Sequence, residues 1–256
     1  MAETAPHYVF ATDFEREEER LALGERLWDP GTQARLAEVG VGPGTRCLEV
    51  GAGRGSIAAW MAGRGAEVTA VDIDTSRLTG LHGVRVRQAD VTTDDIGRDY
   101  DLVHARLVVQ HVADRASAVR WMAAALRPGG HLVLEDTDST PLFDTADGIM
   151  HERVKRAAYA EMTYAGYHPR CGLLDIDLMT AVGLVDVRAE GRAEVVEGGG
   201  LNARWFALWL EHLRPAMIAR GRVDAAEIDA AVADLATPGH RWLSQVMVTV
   251  TGRKVA

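Results

Sequence analysis

The sequence predicts an α/β protein built on a doubly wound, mostly parallel sheet of seven strands. Short apolar runs rich in Val and Leu alternate with helical patterns along the chain. Such alternation is typical of parallel strands joined by right-handed crossover helices. A glycine-rich turn, CLEVGAGRGS at 47–56, follows the first of these runs, where a strand leads into a helix.

The N-terminal residues 1–44 are predicted to form a helical cap on a core domain of residues 45–256. Apolar residues recur every seven positions in the first part of the cap, which indicates one face of a helix. Asp-Pro-Gly at 29–31 is expected to end that helix. A second short helix is then predicted around 34–39. The charged run EREEER at 15–20 is expected to lie on a solvated face.

Three glycines at every second position follow the first strand. Gly51, Gly53 and Gly55 suit a backbone that turns sharply and approaches a ligand closely. The dinucleotide fingerprint G-x-G-x-x-G needs its third glycine one residue later, where Ser56 stands. Glu49 would repel a pyrophosphate but attract the ammonium group of a methionine-like ligand. The turn therefore favours a nucleoside without phosphates.

Two further acids end the next two strands. The strand at 67–74 ends in Asp72, about 20 residues after the glycines, from where an acid binds ribose hydroxyls. The third strand, at 84–90, ends at Asp90. Together with Glu49 these acids predict a negative pocket suited to a ligand that carries a sulfonium and an ammonium.

The alternation continues through the fourth and fifth strands. YDLVHA at 100–105 predicts a strand, and a helix is predicted over 114–126. Pro-Gly-Gly at 128–130 indicates a turn before the fifth strand at 131–136. Ligands of such sheets collect at the carboxyl ends of the strands.

The last strands are predicted at 185–190 and 245–254, with helical insertions at about 137–172 and 197–240. We interpret these insertions as a lid over the substrate. A tryptophan-rich stripe in the second insertion is more typical of core than of a substrate wall. Asp224 begins the last helix of that insertion with the spacing of a capping box.

The composition is that of a globular protein with an acidic balance. The 256 residues include 47% hydrophobic and 25% charged residues. A formal net charge of −9 argues against nucleic acid as a partner, because neutralising phosphates requires a basic surface. The chain shows neither a signal peptide nor 18 consecutive apolar residues, so we expect a cytoplasmic protein without a membrane partner.

Five ordered motifs, LEVGAGRG, AVDID, QADV, YDLVHARLVVQHV and LRPGGHLVLED, resemble those of the class I S-adenosylmethionine-dependent methyltransferases. The resemblance is clearest over 45–134. It implies a Rossmann-like methyltransferase fold, S-adenosylmethionine as cofactor and methyl transfer to an acceptor. The cofactor-binding residues that it implies are Glu49, Gly51, Ala52, Gly53, Gly55, Asp72, Ile73, Asp90, Val91 and Ala105.

Methyl transfer from a sulfonium depends mainly on positioning and on exclusion of water, and a base is optional. His111 follows the fourth strand and is the candidate base, since the histidine pKa suits proton transfer near neutrality. Glu135 and Asp136, at the end of the fifth strand, are candidates for binding or deprotonating the acceptor. His104 lies within the fourth strand and is expected to pack or to face the cofactor.

No metal ion is expected. The metal-dependent catechol methyltransferases place a further acid after the fourth strand, where this chain has Ala105 and Arg106. Cys47 and Cys171 are the only cysteines and do not form a C-x-x-C pattern, so neither a disulfide framework nor a zinc site is expected.

The sequence favours a small-molecule acceptor. Enzymes that methylate base amines resemble one another in an Asn/Asp-Pro-Pro-aromatic motif, where this chain has HARL. The cap and insertions resemble enzymes of secondary metabolism that methylate oxygen most often, and also nitrogen or carbon. A homodimer stays open.

Two alternatives also stay open. One is a methyltransferase-like domain that binds the cofactor without transfer, or catalyses a rearrangement. The other is a nicotinamide-dependent oxidoreductase, which the early third glycine and Glu49 disfavour.

Overall fold

The computed structural model describes residues 14–255. Its elements follow one another as α1 (Glu17–Val39), β1 (Arg46–Val50), α2 (Ser56–Gly63), β2 (Glu67–Asp72), β3 (Val84–Gln88), β4 (Tyr100–Arg106), a 3₁₀ turn (Val109–His111), α3 (Arg115–Ala125), β5 (Leu126–Asp138), β6 (Asp144–Thr145), β7 (Gly148–Ile149), α4 (Glu152–Tyr164), α5 (Cys171–Ala181), β8 (Val185–Arg192), β9 (Val195–Glu197), α6 (Leu201–Ala219), α7 (Ala225–Ala236), β10 (Arg241–Leu243) and β11 (Val246–Arg253).

The main sheet has seven strands in the order β3-β2-β1-β4-β5-β11-β8, which confirms the predicted fold class. The pairs β1 with β2, β2 with β3, β1 with β4 and β4 with β5 are all parallel. β11 is antiparallel to β5. This follows from Lys254, which comes directly after the end of β11 and exchanges backbone hydrogen bonds with Gly129 and Gly130 near the start of β5. The winding reverses between β1 and β4, so their carboxyl ends form the crevice where such sheets bind ligands.

The described residues divide into two compact units. A sheet unit holds 28–137, 170–191 and 247–255, and a helical unit holds 14–27, 138–169 and 192–246. The predicted insertions largely coincide with the last two segments of the helical unit. The boundary within the N-terminal segment falls between residues 27 and 28, earlier than the predicted end of the cap at 44, and residues 1–13 lie outside the described part.

An apolar core holds the sheet unit together. One cluster joins Leu36 of α1, α2 and the strands β1, β2, β4 and β5, and includes Cys47, Met61 and Leu102. Truncating one such side chain to alanine typically costs about 2 to 5 kcal/mol. Cys47 and Cys171 are both buried and free.

The prediction of two N-terminal helices was wrong, because α1 is continuous and contains Pro30. A proline inside a helix typically costs about 3 kcal/mol. Tertiary contacts on both sides of it offset that cost: Trp28 and Leu36 are almost completely buried, and Thr32 is hydrogen-bonded inside the unit. Packing therefore outweighs the local preference to end the helix.

The expectation that the charged run at 15–20 is solvated was wrong for two of its residues. Glu17 and Arg20 are only 4% and 6% exposed, and they form an ion pair of 2.7 Å. Burial opposes ionisation of Glu17, but Arg20 and His212 outweigh it and lower the pKa of Glu17 to about 2. The run thus anchors α1 within the helical unit.

The helical unit packs α4, α6 and α7 together, with a small hairpin, β6-β7, and a separate antiparallel strand pair, β9-β10. Its core is aromatic, and the α6 tryptophans Trp205 and Trp209 are buried, as core residues should be. The predicted capping box is present, since Asp224 and Glu227 each accept the other's backbone N–H. Among the residues that the structure describes, no helix is long and apolar enough to cross a bilayer.

The predicted turn at 128–130 lies within β5, which begins immediately after α3. The register with β4 is interrupted there, because Tyr100 pairs with Leu126 and Leu102 pairs with His131. Gly129 has a φ of 80°, and its N–H donates to the Lys254 carbonyl. The segment is therefore an irregularity within the strand and not a separate turn before it.

Candidate active site

The glycine turn after β1 is formed by three residues in the left-handed region, with φ of 67°, 58° and 84° at Gly51, Gly53 and Gly55. A Cβ on Gly51 would lie 2.3 Å from a methyl group of Val108, and one on Gly55 would lie 2.6 Å from Leu81. A Cβ on Gly53 would meet no atom of the described residues within 4 Å. The outer glycines therefore permit close packing, while the middle one leaves open space for a ligand.

Asp72, at the carboxyl end of β2, holds this turn in place. Its Oδ2 accepts a hydrogen bond from the Gly53 N–H at 2.8 Å, and its Oδ1 accepts one from the Asp74 N–H at 3.0 Å. Each carboxylate oxygen can accept a second hydrogen bond. Asp72 can therefore bind ribose hydroxyls while it fixes the glycine turn.

The remaining predicted cofactor residues lie at the ends of β2, β3 and β4. Ile73 is 59% exposed, which leaves its side chain available to cover an adenine ring. Asp90 is half-buried, and its Oδ1 accepts two hydrogen bonds from Thr92. Val91 and Ala105 are buried, so their side chains do not form an open surface.

These residues fit S-adenosylmethionine in their chemistry. The open space at Gly53, the exposed Ile73 and the acids Glu49, Asp72 and Asp90 would complement an adenine, a ribose and two positive charges. The same carboxylates would repel the negative charge of a pyrophosphate.

A buried ion triad, which the sequence analysis missed, lies beside the turn. Glu49 of β1 is the register partner of His104 of β4, and its Oε2 lies 2.6 Å from His104 Nδ1. The other ring nitrogen lies 3.4 Å from Glu135 Oε2 on β5, an ion-pair distance. His104 and Glu135 have no exposed surface, and Glu49 keeps 4%. The other Glu49 oxygen accepts no hydrogen bond from residues 14–255.

The triad shifts two pKa values in opposite directions. Burial opposes the charged form of His104, but the carboxylates of Glu49 and Glu135 outweigh it and raise the pKa of His104 to about 9. Burial also opposes ionisation of Glu135, but His104, Thr32 and Thr249 outweigh it and lower the pKa of Glu135 to about 2. At neutral pH His104 is therefore a cation and Glu135 an anion.

A second layer of contacts surrounds Glu135. Thr249 Oγ1 donates to Glu135 Oε1 at 2.7 Å, and Thr32 Oγ1 of α1 donates to Oε2. Arg106 donates to Thr32 Oγ1 at 2.9 Å and pairs with Asp29 at 2.7 Å. These contacts join α1 to three strands of the sheet.

The structure gives Glu135 a different role from the predicted one. It is completely buried, and both of its oxygens already accept hydrogen bonds. These contacts argue against direct binding or deprotonation of an acceptor by Glu135. Its neighbours assign it to holding His104.

Asp136 is also completely buried, and its neighbours differ from those of Glu135. Its Oδ1 accepts a hydrogen bond from the Gln110 N–H at 3.3 Å. Asp136 also forms a cluster with Cys171 and Asp175, in which one carboxylate oxygen or sulfur atom from each residue lies within 4.8 Å of the others. Burial and the nearby Asp175 raise the pKa of Asp136 well above its usual range, and burial raises the pKa of Asp175 to about 7. Asp136 and Asp175 are both completely buried, so this geometry also argues against contact between Asp136 and an acceptor.

His111 is the one predicted catalytic side chain that is only half-buried. It ends the 3₁₀ turn after β4, and its Nε2 lies 3.2 Å from Gln110 Nε2. Gln110 Oε1 accepts from Thr137 N–H and Oγ1 at 3.0 and 2.8 Å, which fixes the amide and makes its NH₂ group the donor to His111. The lone pair on His111 Nε2 is therefore the acceptor, and the proton of the neutral ring lies on Nδ1.

Known proteins resemble this chain in sequence. A family model described as a methyltransferase domain matches residues 15–176. The ubiquinone biosynthesis O-methyltransferase of Marinobacter nauticus is 32% identical over 145 residues, which cover 47% of this chain and 60% of that protein. The corresponding enzyme of Alkalilimnicola ehrlichii is 32% identical over 143 residues, covering 47% and 58%. The chain thus spans about three fifths of the length of these curated relatives.

Solved structures share the fold. Phosphoethanolamine N-methyltransferase 2 of Haemonchus contortus, bound to phosphomonomethylethanolamine and S-adenosylhomocysteine, superposes with a TM-score of 0.63 at 15% identity, covering 100% of this chain and 61% of that one. The [4+2]-cyclase SpnF superposes with a TM-score of 0.55 at 20% identity, covering 91% and 82%. At these identities the likeness establishes the fold alone.

Proposed function

The chain belongs to the methyltransferase domain family, and on that premise we propose that it transfers the methyl group of S-adenosylmethionine to an oxygen of a small-molecule acceptor. The observation that carries the proposal is the glycine turn fixed by Asp72, with open space at Gly53. Oxygen is favoured because the 32% identical relatives are named O-methyltransferases. Because the chain belongs to this family, the alternative of a nicotinamide-dependent oxidoreductase is no longer favoured.

Each residue contributes by binding or by proton transfer. Asp72 would hold the ribose, Ile73 would cover the adenine, and Glu49 would face the ammonium group. The bound cofactor supplies a methyl group on a positively charged sulfur, an electrophile that needs no metal ion. The chain orients the acceptor oxygen and keeps water away from it.

Proton removal falls to His111 in this proposal. A hydroxyl acceptor loses its proton as the new oxygen–carbon bond forms, and His111 Nε2 is the site that would take it. To do so, Nε2 must exchange the hydrogen bond from Gln110 for the proton of the acceptor. The ring would then be a cation that donates from both nitrogens.

The test has two stages. Calorimetric titration with S-adenosylmethionine and S-adenosylhomocysteine should give micromolar-range binding, and a dinucleotide should not bind. An acceptor screen that includes phenols, alcohols and amines would then detect transfer by the mass of a methyl group. If neither nucleoside binds, the proposal fails.

The same acceptor screen would test the metabolic setting of the enzyme. We propose a cytoplasmic enzyme of secondary metabolism, as the resemblance to natural-product enzymes implies, whereas the relatives are named for ubiquinone biosynthesis. Methylation of quinone-type phenols alone would favour the latter setting. Sedimentation at several concentrations tests for a homodimer.

We also propose that the helices in 150–167 and 201–220 become more ordered when cofactor and acceptor bind, as lids commonly do. Equal hydrogen-exchange protection with and without ligands would contradict this.

A second candidate is a fold that binds the cofactor without transferring methyl groups, or that catalyses a rearrangement. The burial of Glu135 and Asp136 favours it, because both predicted acids are unavailable to an acceptor. A cyclase among the solved structures has the same fold. Tight cofactor binding with no methyl transfer to any acceptor would support this candidate.

A further inference from the structure

We propose that His104 is a charged positioning residue, held between Glu49 and Glu135, which balances the charge of the Glu49 carboxylate and orients it for the ammonium group of the cofactor. The inference rests on the proposed function, because it assigns a partner to one acid of the same site. Nothing in the comparisons assigns a role to His104.

The geometry favours a charged imidazole. A neutral ring carries one N–H and one lone pair, so it could donate to only one of the two carboxylates and would leave a lone pair near the other. An imidazolium donates from Nδ1 to Glu49 at 2.6 Å, and its Nε2 makes no hydrogen bond but lies at an ion-pair distance of 3.4 Å from Glu135. Buried carboxylates are strongly unfavourable without a nearby positive charge, so Glu49 and Glu135 both favour that state.

Glu135 is built to remain an anion. Thr32 and Thr249 donate to its two oxygens from opposite sides, one from α1 and one from β11. Two further charges are linked to this group through Thr32: Arg106 of β4, which donates to Thr32, and Asp29 of α1, which is paired with Arg106. Glu135 therefore stabilises the positive charge on His104 without touching a ligand itself.

The same contacts leave Glu49 ready for a ligand. His104 engages Oε2, which fixes the orientation of the carboxylate, and the other oxygen accepts no hydrogen bond within the described part of the chain. If His104 were neutral, Glu49 would be a nearly buried carboxylate without a counter-ion beside it, and Nδ1 would hold its orientation less strongly. A carboxylate that is less firmly oriented would bind an ammonium group less well.

The proposal predicts a loss of affinity that depends on the ligand. S-Adenosylhomocysteine carries the amino-acid ammonium, whereas methylthioadenosine has the same nucleoside without it. His104→Gln should weaken binding of S-adenosylhomocysteine by about tenfold or more, the size of a lost charge-assisted contact. Binding of methylthioadenosine should stay within about twofold, because Asp72 and Ile73 are unchanged.

Glu135→Gln provides a second variant, since it keeps the shape of the side chain but removes the charge that stabilises imidazolium. It should show the same selective loss although Glu135 touches no ligand. Glu49→Gln should abolish the preference for S-adenosylhomocysteine directly. Equal weakening of both ligands in all variants would indicate a structural role and would overturn the proposal.

A measurement on the wild-type protein avoids the risk that a variant fails to fold. Nitrogen NMR of labelled histidines should show His104 protonated at both ring nitrogens at pH 7.5, in keeping with its raised pKa. A neutral His104 at that pH would overturn the proposal. Failure of the wild type to bind either nucleoside would instead overturn the proposed function, so the two failures are distinguishable.

Discussion

Replacing the middle glycine of the turn separates its effect on the fold from its effect on the ligand. Gly53→Ala places a Cβ in a residue with φ of 58°, in space where no described atom lies within 4 Å. The left-handed conformation alone typically costs about 1 to 2 kcal/mol. For a chain of this length, that lowers Tm by about 2 to 4 °C for each kcal/mol.

The ligand should respond much more strongly than the fold. If the space at Gly53 is where the cofactor approaches the backbone, the added methyl group would displace it and raise the Kd for S-adenosylhomocysteine by about tenfold or more. Calorimetric titration measures the Kd, and thermal denaturation of the same sample measures the cost to the fold.

Two matched variants make the comparison decisive. Gly129→Ala has a φ of 80° and equally open space, but it lies near the start of β5, so it should cost similar stability and leave the Kd unchanged. Gly51→Ala would place its Cβ 2.3 Å from Val108, which adds an overpacking cost of about 1 to 3 kcal/mol. An unchanged Kd in Gly53→Ala would refute the assignment of that space to the cofactor, and equal stability of the Gly51 and Gly53 variants would refute the packing argument.

Three other predictions concern polar groups. Asp72→Asn should raise the Kd for the cofactor by about tenfold, because a charged acceptor is lost, whereas Asp74→Asn should not; equal effects would contradict this. His111→Gln should lower the methyl-transfer rate by about tenfold or more and leave cofactor affinity intact, as single-turnover assays would measure. The raised pKa of Asp175 means that its contribution to stability is complete below about pH 4 and is lost as pH rises through about 7. Asp175→Asn should therefore reduce the fall in Tm between pH 5 and pH 8, and an unaltered fall would argue against a proton shared with Asp136.

The sequence predicted the parts of the site that depend on local order along the chain. The glycine turn, Asp72 and Asp90 each follow a strand directly, so the parallel sheet alone brings them to one edge. The strands themselves were identifiable because buried parallel strands are nearly continuous apolar runs. Local sequence alone wrongly predicted that the first helix ends near Pro30. The helix continues through this residue because Trp28 and Leu36 on either side of it are packed in the interior.

The triad could not be found by the same means, because it depends on the register between strands. Glu49 and His104 are 55 residues apart in sequence, and they meet only because β1 pairs with β4 in the register that makes them direct neighbours. A histidine within an apolar strand was the available indication. It became informative once the strand order was known, since a buried histidine needs partners for both ring nitrogens.

Strand geometry also separates the two adjacent acids that the sequence had placed in one site. Successive side chains of a strand point to opposite faces of the sheet. Glu135 therefore meets His104 and Thr32 on the face covered by α1, whereas Asp136 meets the residues of α5 on the other. Neither face leaves these two carboxylates accessible, so neither of them is placed to act as a base toward the acceptor. Proton removal then depends on His111, or else the acceptor is already nucleophilic and the His111→Gln variant will keep its rate.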